Sequence, residues 1–173
     1  TAIKAAEKLG YPVILKTARG AGGEGVMRVS SENELRPIMD AIKSFEHDIV
    51  LQEYIEHDGT DNRLIVIGDY VTAYSRSSEG DEWRSNLGAG GTRLAAEVTE
   101  AMKKSALTAA RATGFDMCRC DVIKHDEETY VLEVNGSYGI SEEMNEIIGE
   151  DIMLRMVERL HDQAMEKQVE NEE

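Results

Sequence analysis

Two short runs near the C-terminal end of the chain bring three oxygen-bearing side chains together. Asp121 lies in Cys-Arg-Cys-Asp-Val-Ile, and Glu133 and Asn135 lie in Tyr-Val-Leu-Glu-Val-Asn-Gly. Both runs are typical of strands, and the polar stretch 124–129 between them predicts the turn of a β-hairpin. Residues two apart on a strand share a face, so Glu133 and Asn135 point the same way and Asp121 joins them from the partner strand.

Two carboxylates and one amide oxygen form a hard, oxygen-only ligand set. Mg²⁺ suits such a set, because it takes one or two carboxylates and completes its shell with water and substrate phosphate. The pattern therefore predicts a magnesium site on the hairpin. The alternative is a hairpin whose acidic side chains are simply solvated.

A glycine-rich segment follows the first apolar strand. Lys16 ends the apolar run 12–15, and the segment 19–26 reads Arg-Gly-Ala-Gly-Gly-Glu-Gly-Val. Backbone N–H groups can approach phosphate oxygens where no side chain intervenes, and glycine permits the turns that aim them. The segment is neither a P-loop nor a dinucleotide fingerprint. A flexible turn, with Lys16 as a solvated strand-end lysine, is the alternative.

Composition excludes several classes of protein. The chain has 173 residues and a formal net charge of −15, which argues against binding to a nucleic-acid backbone. No apolar stretch approaches eighteen residues, so we expect no membrane partner. Cys118 and Cys120 form neither a disulfide framework nor a zinc site, because no further cysteine is available. Buried, reduced thiols fit a cytoplasmic protein.

Periodicity predicts an alternation of strands and helices. The predicted strands are 12–17, 25–30, 49–53, 63–67 and 70–76, and Gly68-Asp69 predicts a hairpin between the last two. The spacing predicts helices that begin at Thr1, at Ala95 and at Gly149. Ser31 and Glu34 have the spacing of a capping box, and we expect the regular helix after them to start near Pro37 or to kink there. The last helix runs to Met165, and we expect its inward face to comprise Met153, Met156, Val157, Leu160 and Ala164. Residues 77–91 are predicted to form a long, functional loop.

Two further motifs complete the pattern. Gln52-Glu53-Tyr54-Ile55 follows an apolar strand, and Arg84-Ser85-Asn86-Leu87 precedes Gly90-Gly91. In this order, with Asp121 and Glu133-Val134-Asn135 after them, the motifs resemble the ATP-grasp superfamily. Within it they resemble the ribosomal protein S6 modification enzyme type of alpha-L-glutamate ligase. The resemblance runs from about residue 10 to residue 160.

The resemblance implies an α+β ATP-grasp fold of two lobes with the nucleotide cleft between them. Residues 1–53 would form the small lobe with the phosphate loop, and residues 54–173 the large lobe with the metal site and the C-terminal helix. Family members carry a further domain before this region, so the chain corresponds to their C-terminal portion. The apolar face of the first helix, Ile3, Ala6 and Leu9, leads us to expect a homo-oligomer.

The same resemblance implies roles for individual residues. Arg84 and Asn86 would act at the transferring phosphoryl group, and Asp121, Glu133 and Asn135 would bind Mg²⁺, with Mn²⁺ as an alternative. Asp58 competes with Asp61 as the acidic residue near the ribose, and the role of Arg119 is left open. The expected ATP contacts are Lys16, Gly22, Gly23, Gly25, Gln52, Glu53, Tyr54, Ile55, Asp61 and Arg63.

The implied activity is that of an ATP-dependent carboxylate–amine ligase that works through an acyl phosphate. L-glutamate or a similar amino acid would be joined to the carboxylate of a protein C-terminus or a small molecule. Tyr138 stands where the family usually has proline, which puts the acceptor in doubt. The alternatives are a ligase for an amino-group carrier protein or small cofactor, and a truncated nucleotide-binding fragment with little or no ligase activity.

Overall fold

The computed structural model describes residues 2–18, 24–44, 48–77 and 92–170. The chain forms two compact units, Thr1–Glu56 and His57–Glu173. Within the described ranges, no helix combines the length and the apolar character needed to cross a membrane.

The first unit is a three-stranded antiparallel sheet with two helices. Its central strand is β1, in the order β2-β1-β3. Val13 and Leu15 on β1 are fully buried and alternate with Ile14 and Lys16, so Lys16 lies on the sheet face away from the helices. The elements are α1 (Ala2–Leu9), β1 (Val13–Thr17), β2 (Val26–Val29), α2 (Glu32–Ser44) and β3 (Ile49–Glu53).

Helix α2 begins before the proline at which the sequence predicted its start. The Ser31 hydroxyl accepts a hydrogen bond from the Glu34 amide at 3.3 Å, and the Glu34 carboxylate accepts one from the Ser30 amide at 2.8 Å. These bonds satisfy donors of the first turn, so the helix forms from Glu32 and continues through Pro37. Of the two predicted alternatives, a start near Pro37 is therefore wrong, and a kink at Pro37 stays a prediction.

The second unit is a five-stranded antiparallel sheet in the order β6-β5-β4-β7-β8, with three helices. Its elements are β4 (Thr60–Ile67), β5 (Tyr70–Ser77), β6 (Thr92–Ala95), α3 (Glu100–Thr113), β7 (Met117–His125), β8 (Glu128–Asn135), α4 (Glu142–Ile148) and α5 (Ile152–Glu170). The predicted hairpins β4–β5 and β7–β8 are both confirmed.

The two faces of this sheet bury different sets of side chains. One face packs against α3 through an apolar core that includes Leu64, Val66, Met102, Cys118 and Cys120. Both cysteines are free and fully buried, as predicted. The opposite face is apolar at one end only, where its core members are Ile65, Ile67, Tyr74, Met144 of α4 and Ile152 of α5. The other end of that face carries charged side chains.

Helix α3 starts five residues later than the sequence predicted. Thr99 is its N-cap and accepts a hydrogen bond from the Met102 amide at 3.2 Å, and Gly114 ends it in the left-handed conformation with φ of 76°. Ala95, the predicted first residue of the helix, instead ends edge strand β6 (Thr92–Ala95), which the sequence analysis did not predict. The apolar spacing continues upstream of Thr99, but the threonine cap defines where the helix begins.

The C-terminal region differs most from the prediction. Gly149 ends the short helix α4, which the sequence analysis missed, and α5 begins at Ile152. The predicted inward face of α5 is wrong for Met153, Val157 and Leu160, whose side chains are more than half exposed.

The face of α5 that does pack inward carries two arginines, each of which contacts a side chain of the sheet unit. Ile152 is fully buried, and Arg155 and Arg159 lie three and seven residues further along the same face. Arg155 stacks over the Tyr70 ring at 3.9 Å, and Arg159 makes a bidentate ion pair with Asp116 at 2.7 and 3.0 Å. Because long arginine stems cover apolar surface while their charged ends are paired, this stripe packs inward although it contains few apolar residues.

Hairpin β7–β8 contains an irregularity at the predicted metal site. Val122 pairs with Val131, whereas the neighbouring Asp121 pairs with Glu133. Leu132 is therefore an extra residue on β8 without a counterpart on β7, which is a β-bulge. The bulge places Glu133 directly across from Asp121.

The corrected orientation of α5 predicts how two of its apolar residues respond to truncation. Ile152→Ala is expected to lower the free energy of unfolding by about 2–5 kcal/mol, because the change leaves a cavity in the core. Leu160→Ala is expected to change it by less than about 0.5 kcal/mol, because Leu160 is 52% exposed. Urea denaturation followed by circular dichroism measures both, and a larger loss for Leu160→Ala would contradict the orientation.

The ion pair between Arg159 and Asp116 predicts a pH-dependent contribution to stability. The hydrogen bond from Arg159 lowers the pKa of Asp116 below its ordinary value of 3.8. A carboxyl group whose pKa is lower in the folded state stabilises the fold above its unfolded pKa, and loses that contribution as pH falls through the folded value. Asp116→Asn is therefore expected to destabilise by up to about 1 kcal/mol at pH 7, and by progressively less below about pH 4.

Urea denaturation between pH 7 and pH 2.5 measures this difference. Asp69→Asn is the matched control, since Asp69 pairs with Arg111 while both side chains are at least 72% exposed. A difference between the parent and Asp116→Asn that does not vary with pH would contradict the role given to the pair.

Candidate active site

The charged end of the second sheet gathers side chains from all five strands. Register places Asp61 across from Arg76 and Arg63 across from Asp121. Directly paired residues of an antiparallel sheet project from the same face. The same relation places Arg93 across from Arg76, Glu133 across from Asp121 and Asn135 across from Arg119.

Asp61 is an ion-pairing residue at the centre of this face. Arg76 donates to both of its carboxylate oxygens at 3.0 and 2.7 Å, and Arg63 donates to one of them at 3.3 Å. Asp61 is 3% exposed. Asp58, the competing candidate for the ribose contact, is exposed and accepts a hydrogen bond from the Thr60 amide at 2.9 Å.

Asp121 holds a second pair of arginines. One carboxylate oxygen lies 2.8 Å from Arg63 Nη2, and the other accepts a hydrogen bond from Arg119 Nε at 2.8 Å. Burial, helped by the nearby Glu133 carboxylate, raises the pKa of Asp121 to about 6 against the opposing effect of the two arginines. Burial also lowers the pKa of Arg63. Arg119 is therefore an ion-pair partner of Asp121, with which it shares a strand face.

Glu133 and Asn135 complete the predicted ligand set on the exposed edge of the face. Asn135 Nδ2 donates to Glu133 Oε1 at 3.0 Å, so the amide oxygen of Asn135 is directed elsewhere. Two carboxylates directly opposed across a sheet repel each other, and a cation bound between them removes that repulsion. The donor set of Asp121, Glu133 and Asn135 thus fits Mg²⁺. In the described part of the chain, this site included, no three His, Cys, Asp or Glu side chains form a metal cluster, so the third protein ligand here would be the Asn135 amide.

In the first unit, two predicted nucleotide residues share one sheet face. Lys16 and Gln52 alternate with the core residues of β1 and β3, and Gln52 pairs in register with Ile14 on the same face. Arg28 pairs with Ile14 on the same face, and its guanidinium lies 4.2 Å from the centre of the Tyr54 ring. Sequence reasoning missed Arg28, although its alternation with Val29 on a short strand indicated its face.

The glycine-rich segment is described only at its end. Gly25 has a φ of 71°, and a Cβ atom there would lie 2.2 Å from Thr17 Oγ1, so the closure of the β1–β2 hairpin requires glycine. Glu53 is exposed, and Ile55 is half-buried. Gly22, Gly23, Arg84 and Asn86 lie outside the described residues.

Tyr138 packs beneath the charged end of the face. Its ring belongs to the apolar cluster of Ile65 and Tyr74, and the Arg119 guanidinium lies 5.9 Å from its centre. Burial raises the pKa of Tyr138 to about 12. The side chain that replaces the family proline is thus a packing residue beside Arg119.

Arg93 is a charged residue of this face that sequence reasoning did not identify. It lies on β6, between the predicted loop 77–91 and the helix predicted from Ala95, so no strand alternation was available to assign its face. It forms an ion pair with Glu143 of α4, and its Nε atom is buried without a hydrogen-bond partner among the described residues.

The most informative relatives are glutamate ligases. The chain is 36% identical over 156 residues to the ribosomal protein bS6--L-glutamate ligase of Escherichia fergusonii, covering 87% of this chain and 51% of the relative. It is 33% identical over 150 residues to a probable alpha-L-glutamate ligase of Enterobacter sp. (strain 638), covering 86% of this chain and 50% of the relative. The chain therefore spans about half the length of these curated relatives.

Solved structures show the same fold at lower identity. The D-alanine--D-alanine ligase of Bacillus anthracis matches with a TM-score of 0.71 and 20% identity, over 94% of this chain and 59% of that chain. The ATP-grasp ligase PsnB, complexed with minimal precursor, matches with a TM-score of 0.67 and 22% identity, over 94% of this chain and 51% of that chain.

A family model described as the RimK-like ATP-grasp domain matches residues 1–160, nearly the whole chain. The charged sheet face of Asp61, Arg63 and Asp121 lies within the matched region. The chain has the ATP-grasp fold and belongs to the RimK-like ATP-grasp domain family.

Proposed function

We propose that this chain carries the ATP-binding and ligase machinery of a carboxylate–amine ligase that forms a C–N bond. The observation that supports the proposal most directly is the arrangement on the second sheet. There, Asp121 and Glu133 face each other on adjacent strands, Asn135 adjoins Glu133, and Arg63 and Arg119 are held at Asp121. Such a set brings oxygen ligands for a divalent cation next to fixed positive charge.

The proposed reaction has two steps. A substrate carboxylate oxygen attacks the γ-phosphorus of ATP, the bond to the β–γ bridging oxygen breaks, and ADP leaves. The amine of the second substrate then attacks the acyl carbon, loses a proton and displaces inorganic phosphate. When bound, Mg²⁺ reduces the charge repulsion between the phosphates and the attacking oxygen.

The protein residues contribute position and charge. Asp121 orients the guanidinium groups of Arg63 and Arg119, so both meet the developing phosphoryl charge without first having to reorganise. Asp61 does the same for Arg76. Ordered cations in a partly buried site stabilise charge more effectively than solvated ones, because the local dielectric constant is lower. Arg84 and Asn86 are proposed as further phosphoryl contacts, with Lys16 and the first unit binding the nucleotide.

L-glutamate is the proposed amine donor. The names of the relatives from Enterobacter and Escherichia fergusonii support this choice, and the arginine-rich sheet face is suited to an anionic amino acid. The acceptor is proposed to be a carboxylate of a protein or small molecule.

Removing one metal ligand tests the proposal. Glu133→Ala is expected to leave the chain folded, because Glu133 is exposed, while abolishing the effect of Mg²⁺ on nucleotide binding. In the parent, ADP with Mg²⁺ is expected to stabilise the fold by about 2.7 kcal/mol at a hundred times its dissociation constant. Thermal unfolding with ADP, with and without Mg²⁺, measures the difference.

Glu128→Ala is the matched control, since Glu128 is an exposed acid at the opposite end of the same strand. It is expected to retain the full Mg²⁺-dependent shift. A Glu133→Ala variant that responds to ADP and Mg²⁺ like the parent would show that the metal binds elsewhere. ADP release from ATP in the presence of L-glutamate and bS6 protein then tests for ligation.

A further inference from the structure

Four arginines cross the charged sheet face on neighbouring strands: Arg119 on β7, Arg63 on β4, Arg76 on β5 and Arg93 on β6. Arg76 and Arg93 are direct register partners, so two cations stand side by side. Like charges directly opposed on a sheet are destabilising unless acids or bound anions compensate them. An arginine can therefore accept an anionic ligand only if the acid that compensates its charge can be displaced.

Three of these arginines have acid partners that are locked in the protein. Asp61 and Asp121 pair with Arg63, Arg76 and Arg119, and the two aspartate side chains are only 5% and 4% exposed. Removing such a carboxylate from its arginine would leave a buried charge without a partner, which is strongly unfavourable. A substrate carboxylate cannot easily replace these acids.

Arg93 is different, because its acid partner reaches solvent. The side chain of Glu143 is 60% exposed, whereas that of Arg93 is 22% exposed. An ion pair with such an exposed carboxylate contributes little to stability and is easily exchanged. The Nε atom of Arg93 is buried and has no acceptor among the described residues, so the guanidinium retains an unused donor. A substrate carboxylate that takes the place of Glu143 at the Nη1 atom would form the charge-assisted hydrogen bond that arginine favours.

The position of Arg93 relative to Asp121 indicates which carboxylate it would bind. Strands β6 and β7 are three strand spacings apart, or roughly 14 Å at about 4.8 Å per spacing. Arg93 therefore lies on the far side of the charged face from Asp121. An α-carboxylate lies next to the reacting amine, whereas the side-chain carboxylate of glutamate lies at the far end of the molecule.

We propose that Arg93 is a specificity-determining residue that binds the side-chain carboxylate of an acidic amino acid, the amine donor. Glu143 occupies the guanidinium when that substrate is absent and is displaced when it binds. This inference rests on the proposed ligase function and adds to it the residue that selects an acidic donor over its neutral amide. Met144, the neighbour of Glu143, is anchored in the apolar core, so the displaced carboxylate can move without α4 leaving the sheet.

Calorimetric titration of the whole chain with L-glutamate and with L-glutamine, in the presence of ADP and Mg²⁺, tests the proposal. The parent is expected to bind glutamate about tenfold or more tightly than glutamine, as a hydrogen-bonded charge contributes. Arg93→Gln is expected to remove this preference by weakening glutamate binding alone. Glu143→Gln is expected to tighten glutamate binding by up to about fivefold, because the competing carboxylate is gone.

Arg36→Gln is the matched control, because Arg36 forms an exposed ion pair with Glu32 on α2 of the first unit and is expected to change neither affinity. The Mg²⁺-dependent ADP shift should survive in both Arg93→Gln and Glu143→Gln, which distinguishes failure of this inference from failure of the proposed function. If Arg93→Gln does not fold, Glu143→Gln and Arg93→Lys provide the same test, with Lys retaining only part of the preference.

Three outcomes would overturn the proposal. The first is a parent with no measurable binding of glutamate, or with equal affinity for glutamate and glutamine. The second is an Arg93→Gln variant that binds both amino acids equally more weakly, which would assign Arg93 to a group that both molecules share. The third is a Glu143→Gln variant that binds glutamate more weakly, which would make Glu143 part of the site instead of its competitor.

Discussion

The second unit depends on the pairing of two buried aspartates with three arginines. Asp61 and Asp121 would each be costly to bury alone, and so would the guanidinium groups of Arg63, Arg76 and Arg119. Together they form a continuous ion-paired layer across β5, β4 and β7. This layer lets the middle of a sheet carry several charges while α4 and α5 cover the adjoining apolar end.

The same sheet thus serves two purposes on one face. Ile65, Ile67 and Tyr74 pack against α4 and α5. The charged residues lie directly beside them, since Arg63 pairs with Tyr74 in register. Because the strands are fixed on their opposite face by the fully apolar core under α3, the charged end does not have to hold the fold together by itself. A rigid support of this kind is what precise placement of phosphoryl-contacting side chains requires.

Sequence reasoning succeeded where the signal was local. The hairpins around Gly68-Asp69 and between β7 and β8, the cap at Gly114 and the burial of Cys118 and Cys120 all follow from short patterns. It failed at α5, because two faces of that helix were candidates for packing against the sheet. One face carries Met153, Val157 and Leu160, and the other carries Ile152, Arg155 and Arg159. The choice between them depends on Asp116 and Tyr70, which are distant in sequence.

The candidate site was predicted only in part, because some of its contacts join residues that are distant in sequence. The shared face of Asp121, Glu133 and Asn135 follows from alternation, whereas the partners of Asp61 follow from register with β5, which alternation does not determine. Arg93 and Glu143 escaped notice because β6 and α4 were not predicted, and their ion pair joins residues fifty positions apart. Tyr138 was recognised only as a departure from the family pattern, because its neighbours come from other strands.

The bulge at Leu132 corrects a mismatch of phase. The two-residue turn at Asp126 and Glu127 sets His125 against Glu128, and an uninterrupted ladder from there would place Asp121 against Leu132 and turn Glu133 toward α3. The extra residue Leu132 shifts the alternation of β8 by one position from Glu133 onward. Glu133 and Asn135 therefore lie on the face of Asp121, while the pairing nearer the turn is unchanged. The outer part of the hairpin is therefore free to vary in length by whole cross-strand pairs, since adding or removing a pair preserves the parity. A change of one residue on either side of the turn would separate the two carboxylates onto opposite faces.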